Sequence, residues 1–302
     1  RSTLFPYTTL FRSRTGCEDR RVADDHLCQV ANISKVQTRR LQAAGVTTLK
    51  ALGELDQAVA ILKVNPETLS RIRNQARLQL QARTAGDRKV ELLDTGSELR
   101  GFARLPRPDT GDLFFDMEGD PYEEGGLEYL FGVYLFENGE PQFRAFWAHS
   151  RAEEKTAFEQ FMDFATARLN KYPEAHIYHY AHYEPTALKR LMSMHGTREA
   201  DLDNLLRRHK LVDLYTVVRE GIRVSEPRYS IKNIEHFYLD KRTAEVTSAG
   251  VSIVYYERWK DTGDPQLLKD IETYNFDDVR STFQLRAGSR SEERRVGKEC
   301  RS

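Results

Sequence analysis

Three apolar runs in the second half of the chain have the composition and spacing of β-strands. They are Leu113–Glu118, Tyr129–Phe136 and Gln142–Ala148. The dipeptide Asn138-Gly139, between the second and third runs, is a strong signal for a tight hairpin turn. The pattern therefore predicts a three-stranded meander.

After the meander the pattern changes to amphipathic helices with one further strand. The strand is predicted at Ala175–Tyr180. Helices are predicted at Glu153–Lys171, Pro185–His195, Leu202–Glu220, Ile231–Tyr238, Gly250–Lys260 and Pro265–Arg286. This order predicts an α/β fold, with a mixed sheet flanked by helices, over residues 112–288.

The first part of the chain carries helix start and stop signals. A helical run over Val36–Ala44 ends at Gly45, and Thr47 is expected to cap the next helix. Asn65 and Pro66 are expected to be the N-cap and first residue of a further helix. These signals predict a small all-α domain ahead of the sheet.

This all-α domain, over residues 30–84, resembles a helix-hairpin-helix pair, whose glycine turn and helix N-termini typically hold a nucleic-acid phosphate. Arg71 and Arg77 are its candidate nucleic-acid contacts. The alternative is a helical spacer with a solvated basic face. Residues 85–111, rich in Gly, Pro, Asp and Arg, are expected to be a linker.

The two ends of the chain are expected to be foreign to the protein. One nucleotide string encodes residues 1–13, and its reverse complement, read in frame, encodes residues 290–302. The string resembles a sequencing-adapter oligonucleotide, and protein termini have no physical reason to be related in this way. We therefore expect a fragment whose residues 14–29 are the tail of a truncated upstream domain.

Composition favours a soluble protein. Charged residues make up 30% of the chain, and the 46 basic residues balance the 46 acidic ones. No apolar run approaches the roughly 20 residues that a membrane span needs, so no membrane partner is expected. Cys17 and Cys28 are too few for a disulfide framework and favour a reducing, cytoplasmic location.

Two carboxylates lie on the first predicted strand. Asp116 and Glu118 are two positions apart and therefore face the same side, whereas Phe115 and Met117 face the other. Adjacent buried carboxylates repel each other unless a cation lies between them. The alternative is an acidic pair at the surface end of a strand.

A third carboxylate follows the fourth predicted strand. Glu184 precedes Pro185 and is expected at a helix N-terminus, where compensation of the helix dipole is the alternative to a functional role. His179 and Tyr183 are candidate contacts to phosphate and bases, or are structural. Asp213 is the next candidate ligand if Glu184 points into solvent.

The last predicted helix carries a fourth carboxylate. Tyr274 and Asp278 are four residues apart and therefore lie on one face. A tyrosine one turn before a metal-binding aspartate can orient an attacking water. A core aromatic is the alternative role for Tyr274.

Together these motifs resemble the DEDD exonuclease superfamily, in its tyrosine-containing branch, which has the RNase H-like fold. The matching positions are Asp116 with Glu118, His179 to Glu184, and Tyr274 with Asp278. The histidine variant of the family would need His five residues before Asp278, where this chain has Thr273. More narrowly, the chain resembles bacterial RecB-like nucleases, which implies a missing N-terminal nuclease and C-terminal helicase regions as partners.

The resemblance implies a 3′→5′ exonuclease acting on DNA or RNA. Two divalent ions, Mg²⁺ or Mn²⁺, would lie between the four carboxylates, and Lys232 would contact a phosphate. Most of the superfamily has Asp where this chain has Glu184. The alternatives are a non-catalytic nucleic-acid-binding module or a scaffold within a larger nuclease or helicase protein.

Overall fold

The structure is a computed structural model that describes residues 16–94, 99–239 and 249–299. In the last stretch, side chains are described for residues 250–288. Residues 1–13 therefore lie outside the described part of the chain. Of residues 290–302, only a helical backbone as far as Glu299 is described.

The chain divides into two compact units. Unit 1 comprises residues 1–96 and 221–237, and unit 2 comprises residues 97–220 and 238–302. Each unit is therefore built from two separate segments of the chain.

Unit 1 is mainly helical. Its elements are α1, which ends at residue 23, α2 (Lys35–Ala43), α3 (Leu49–Gly53), α4 (Pro66–Ala85), β1 (Val90–Leu92), β7 (Ile222–Val224) and α9 (Ile231–Ile234). Buried leucine, isoleucine and valine side chains from the helices and the loops between them form its core. Strands β1 and β7 form a two-stranded antiparallel sheet.

The helix caps of unit 1 follow the sequence signals, with one shift. Asn65 accepts hydrogen bonds from the backbone of Glu67 and Thr68, so its prediction as an N-cap is confirmed. Thr48, not Thr47, caps α3, because its backbone is extended and its hydroxyl accepts from the Ala51 amide.

The predicted linker contains structure that belongs to unit 1. Strand β1 lies within residues 85–111 and pairs with β7, more than a hundred residues later. The Gln75 side chain on α4 donates to the Val224 carbonyl at 2.8 Å, and the Tyr229 hydroxyl donates to the Ile222 carbonyl at 3.2 Å. The pairing of β1 with β7 is long-range and leaves no local signal in the linker sequence.

Unit 2 is a five-stranded mixed sheet with helices on both faces. Its strands are β2 (Leu113–Asp120), β3 (Leu127–Glu137), β4 (Glu140–Trp147), β5 (Ile177–His179) and β6 (Leu211–Asp213). Its helices are α5 (Arg151–Lys171), α6 (Tyr183–His195), α7 (Glu199–Arg207), α8 (Leu214–Gly221), α10 (Ala249–Thr262) and α11 (Pro265–Glu299). The strand order is β4-β3-β2-β5-β6, with β2, β3 and β4 antiparallel and β2, β5 and β6 parallel. The predicted meander and mixed α/β sheet are confirmed.

The predicted helix Leu202–Glu220 was wrong, because α7, β6 and α8 occupy this segment. Helix α7 ends before His209, whose positive φ of 52° turns the chain into the sheet. Strand β6 is only three residues long, so its apolar positions also fit a helical pattern. Likewise, the predicted helix Ile231–Tyr238 is a short α9 followed by a 3₁₀ turn over Glu235–Phe237.

The two faces of the sheet have separate cores. Phe115 and Met117 of β2 join the core under α5, where the Phe115 ring stacks on Phe161 with centroids 4.1 Å apart. On the other face, Tyr129 stacks on Tyr256 of α10 at 3.9 Å. Such pairs contribute about 0.5–1.5 kcal/mol beyond burial. The predicted alternation of β2 is therefore confirmed, with its carboxylates on the face covered by α10 and α11.

Within residues 16–94, 99–239 and 249–299, no helix combines the length and apolar character required to span a bilayer.

Candidate metal centre

Strand β2 presents two carboxylates to the face covered by α11. Phe115 and Met117 are anchored in the opposite core, so Asp116 and Glu118 must face α11. The pairing register between β2 and β3 then shifts at Glu118/Gly119, directly after the second carboxylate. Glu118 is buried and Asp116 is partly buried, so both lose much of their hydration.

Helix α11 brings a third carboxylate to this pair. One oxygen each of Asp116, Glu118 and Asp278 lies within 4.8 Å of the other two. Asp278 is separated from Asp116 by 162 positions in the sequence, so tertiary packing alone makes this cluster. The pKa of Asp116 is raised well above its ordinary value, first by burial and then by the charges of Asp278 and Glu184.

Tyr274 lies one helical turn before Asp278 and is buried beside it. Its hydroxyl hydrogen-bonds with the Asp278 side chain. Burial, followed by the charge of Asp278, raises the pKa of Tyr274 well above its ordinary value. The hydroxyl therefore keeps its proton at neutral pH and remains a hydrogen-bond donor.

Glu184 lies beside Asp116 but outside the group of three carboxylates. It belongs to the first turn of α6, which begins at Tyr183 rather than at Pro185 as predicted. It is buried, and its side chain hydrogen-bonds with that of Asp116. Two carboxyl groups in such contact share a proton unless a cation replaces it. Burial raises the pKa of Glu184 to about 8.

The backbone turn that carries Glu184 is held by Asp213 at the end of β6. Asp213 accepts hydrogen bonds from the Ala181 amide at 2.9 Å, the Tyr215 amide at 2.9 Å and the Thr216 hydroxyl at 2.7 Å. Ala181 has a positive φ of 74°, a conformation that costs a non-glycine residue free energy and needs such support. Asp213 therefore stabilises the turn through its hydrogen bonds. Glu184, rather than Asp213, lies beside Asp116.

His179 does not present a surface to nucleic acid. It is 2% exposed, and its Nδ1 lies 3.5 Å from Oε2 of Glu184. Burial lowers the pKa of His179, although the charge of Asp213 opposes the shift. Neither this nitrogen nor Oε2 of Glu184 has a hydrogen-bond partner among the described residues. The phosphate contact of His179 stays a prediction.

Tyr183 retains an exposed ring next to the cluster. Tyr183 is 47% exposed. Its hydroxyl donates to both carboxylate oxygens of Glu128 at 3.0 Å. Arg190 in turn donates to Glu128, so the ring is held in place. Gly119 makes this contact possible, since a Cβ there would lie 2.4 Å from Oε2 of Glu128 and 2.8 Å from the Tyr183 hydroxyl.

The remaining predicted nucleic-acid contacts belong to unit 1. Arg71 is exposed on α4. Arg77 on the same helix is partly buried, and its Nε donates to the Gly53 carbonyl at 3.4 Å. Lys232 lies in α9 and is also partly buried.

Two residues on the carboxylate-bearing face of the sheet were not predicted from the sequence. Asn275, next to Tyr274, donates from Nδ2 to Oδ2 of Asp116 at 2.9 Å. Gly132 of β3 lies opposite Asp116 in the sheet register and makes room for Asn275. The only sequence signal was a polar residue in a helix with apolar neighbours and a glycine within an apolar strand.

The donor set suits a hard divalent cation. All three clustered ligands are carboxylates, the type of ligand that Mg²⁺ and Mn²⁺ prefer. Oε2 of Glu184 is buried, and it has no hydrogen-bond partner within the described part of the chain. Concentrated negative charge and a carboxylate oxygen without a donor are both stabilised by a bound cation.

Comparison with known proteins agrees with this geometry. Residues 113–288 match the RNase H superfamily. Comparisons with curated proteins and with solved structures gave no match. The match covers more than half of the chain, and the chain belongs to the RNase H superfamily. Membership and the acidic cluster together support a nuclease-like function with a metal site.

The charges of the metal centre predict how stability depends on pH without a cation. Glu184 has a pKa of about 8 in the folded chain against an ordinary value of 4.5. The folded state thus favours the protonated form, and this stabilisation is complete below about pH 4.5 and lost as the pH rises through about 8. We expect urea unfolding in EDTA to show a free energy of unfolding lower at pH 8 than at pH 5, by on the order of a few kcal/mol.

Glu184→Gln is the matched control for this pH dependence. The amide has the same shape but does not ionise, so the fall in stability between pH 5 and pH 8 should shrink. Mn²⁺ at pH 8 should restore stability to the unmodified chain. A metal-free protein that is more stable at pH 8 than at pH 5 would contradict the assignment.

Proposed function

We propose that this chain is a metal-dependent 3′→5′ exonuclease that hydrolyses phosphodiester bonds of DNA or RNA. The observation that carries the proposal is the convergence of Asp116, Glu118 and Asp278 within 4.8 Å. Glu184 beside Asp116 and Tyr274 beside Asp278 would supply the remaining positions of the tyrosine branch of the DEDD exonucleases, with Glu in place of the usual Asp.

The four carboxylates would hold two cations, Mg²⁺ or Mn²⁺, through oxygen. When bound, such ions activate a water molecule and neutralise the charge that develops on the leaving oxygen. The buried ring of His179, with Nδ1 3.5 Å from Oε2 of Glu184, would limit the movement of that carboxylate by packing beside it. Burial of these groups excludes competing water and strengthens each electrostatic interaction.

Tyr274 and Tyr183 would act on the substrate side of the metal centre. The Tyr274 hydroxyl keeps its proton and would hold the attacking water. The exposed ring of Tyr183 would stack on the terminal base, since every base offers a flat aromatic face. Stacking of this kind is tolerant of sequence and therefore suits an exonuclease.

The polarity and the reaction are tested with 5′-labelled single-stranded DNA and RNA oligonucleotides. With Mn²⁺ or Mg²⁺ we expect a ladder of products that shorten from the 3′ end, and no products in EDTA. A 3′-terminal phosphorothioate linkage should slow the reaction, and a circular single strand should resist it. Cleavage of the circle would indicate an endonuclease, and tight binding without cleavage would favour the non-catalytic module.

Unit 1 would contribute a sequence-independent contact to the phosphate backbone, through a helix-hairpin-helix-like arrangement. Arg71→Ala removes an exposed positive charge from α4. The slope of the logarithm of the binding constant against the logarithm of salt concentration should fall by about 1, because one fewer phosphate is neutralised. The measurement is fluorescence anisotropy of a labelled oligonucleotide at several salt concentrations.

Arg207→Ala is the control for the salt experiment. Arg207 is an exposed arginine of α7 in unit 2 that pairs with Asp203. Its loss should leave the salt slope unchanged. Equal slopes for Arg71→Ala and the unmodified chain would assign unit 1 the role of a spacer.

A further inference from the structure

Asn275 makes a buried contact to the metal centre that the proposed chemistry does not use. It lies on α11 between Tyr274 and the turn that carries Asp278, and it is 0% exposed. Its Nδ2 donates to Oδ2 of Asp116 at 2.9 Å. An ionised carboxylate only accepts hydrogen bonds, so the amide nitrogen is the atom that must face Asp116.

Gly132 provides the space for this amide. It is the β3 residue paired with Asp116 in the sheet, so it lies directly beside the acidic cluster. A Cβ at this position would stand 1.6 Å from Oδ1 and 2.7 Å from Cγ of Asn275. Any residue larger than glycine would therefore displace the Asn275 side chain from Asp116.

The contact between Asn275 and Asp116 lowers the free energy of unfolding in two ways. Oδ1 of Asn275 is buried and has no hydrogen-bond partner among the residues that the structure describes. A glycine within a strand also weakens the strand, because it has no side chain to pack. An apolar residue at position 275 with alanine at position 132 would avoid both costs, which indicates that the amide serves the centre rather than the fold.

We infer that Asn275 is a positioning residue, whose amide occupies one carboxylate oxygen of Asp116 and so directs the other oxygen to the cation. The inference rests on the proposed metal-dependent function. Hydrogen bonds to the ligating carboxylates fix their orientation, and their removal typically lowers metal affinity or activity by about 10–100-fold. Asn275 acts through Asp116 and needs no contact with the substrate.

The test compares Asn275→Ala, Gly132→Ala and the double variant in the complete chain. We expect Asn275→Ala to weaken Mn²⁺ affinity, measured by isothermal titration calorimetry, by about 10-fold or more. The value of kcat should fall by a similar factor, while KM for the oligonucleotide stays within about twofold. Gly132→Ala should reproduce both losses, and the double variant should be no worse than Asn275→Ala, because the two changes remove one interaction.

Thr273→Ala is the control on the same helix, since Thr273 is exposed and bonds only to the Lys269 carbonyl among the described contacts. It should leave Mn²⁺ affinity and kcat unchanged. Asn275→Ala with unaltered Mn²⁺ affinity and kcat would overturn the inference and leave the proposed function intact. If the unmodified chain neither binds Mn²⁺ nor cleaves, the proposed function fails and the inference with it. An additive loss in the double variant would also overturn the inference, because Gly132 would then act independently of Asn275.

Discussion

Asp116→Asn is expected to lower the rate of metal-dependent cleavage by about 10³-fold or more, which corresponds to several kcal/mol of transition-state stabilisation. The substitution removes one charge from the cluster with Glu118 and Asp278 and preserves the shape of the side chain. Asn275 can still donate to the amide oxygen at position 116, so the local packing should survive. The rate is measured with a 5′-labelled oligonucleotide at saturating Mn²⁺.

Asp116→Asn should increase the stability of the metal-free protein although it lowers the cleavage rate. Without a cation, the charges of Asp278 and Glu184 oppose ionisation of Asp116, so its replacement should raise the melting temperature in EDTA. The increase in melting temperature that Mn²⁺ causes should be lost, because the ligand set is incomplete. These two shifts distinguish a damaged metal centre from a damaged fold.

Asp163→Asn is the matched control for Asp116→Asn. Asp163 lies on α5, is exposed and pairs with Arg198. This substitution makes the same chemical change at the surface and should leave the cleavage rate unchanged. Undiminished turnover by a homogeneous preparation of Asp116→Asn would reject the metal mechanism.

Tyr274→Phe is expected to slow cleavage by on the order of 10²-fold while it spares metal binding. The variant loses only the hydroxyl that hydrogen-bonds with Asp278, and the buried ring keeps its packing. The hydroxyl acts mainly in the transition state, so kcat should fall and the affinity for the oligonucleotide should hardly change. Steady-state kinetics and calorimetric titration with Mn²⁺ measure these quantities separately.

Tyr256→Phe is the control for Tyr274→Phe. Tyr256 is also fully buried in unit 2, and its hydroxyl donates to the Ala148 carbonyl at 3.3 Å, away from the carboxylate cluster. Its loss should cost about 1 kcal/mol of stability without a change in kcat. If Tyr274→Phe instead loses affinity with turnover intact, Tyr274 is a binding or packing residue and the chain does not belong to the tyrosine branch.

Features that depend on neighbours along the chain could be predicted from the sequence. The hairpin at Asn138-Gly139 is confirmed, and both residues have the positive φ that such a turn requires, 52° and 85°. The alternation along β2 placed Asp116 and Glu118 on one face because side chains in a strand alternate regardless of what they pack against. The cap at Asn65 followed from a local hydrogen bond.

The convergence of the carboxylates was predictable only through the family resemblance. The number of residues between Asp116 and Asp278 does not determine how far apart the two side chains lie in the fold. The resemblance supplied that pairing, and the structure brings their oxygens together. The assignment of Glu184 to the metal centre came from the same source and stays a prediction, whereas the burial of His179 had no signal in the sequence.

The sequence by itself determined the local elements of this protein: the meander, the helix cap at Asn65 and the common face of Asp116 and Glu118. Only the tertiary structure decided which distant segments meet. It paired β1 with β7, made a strand of Leu211–Asp213, and set Gly132 against Asn275. The physical reason is that turns, caps and alternation depend on backbone geometry over a few residues. Strand partners and buried polar contacts depend on which groups across the whole chain can be desolvated together.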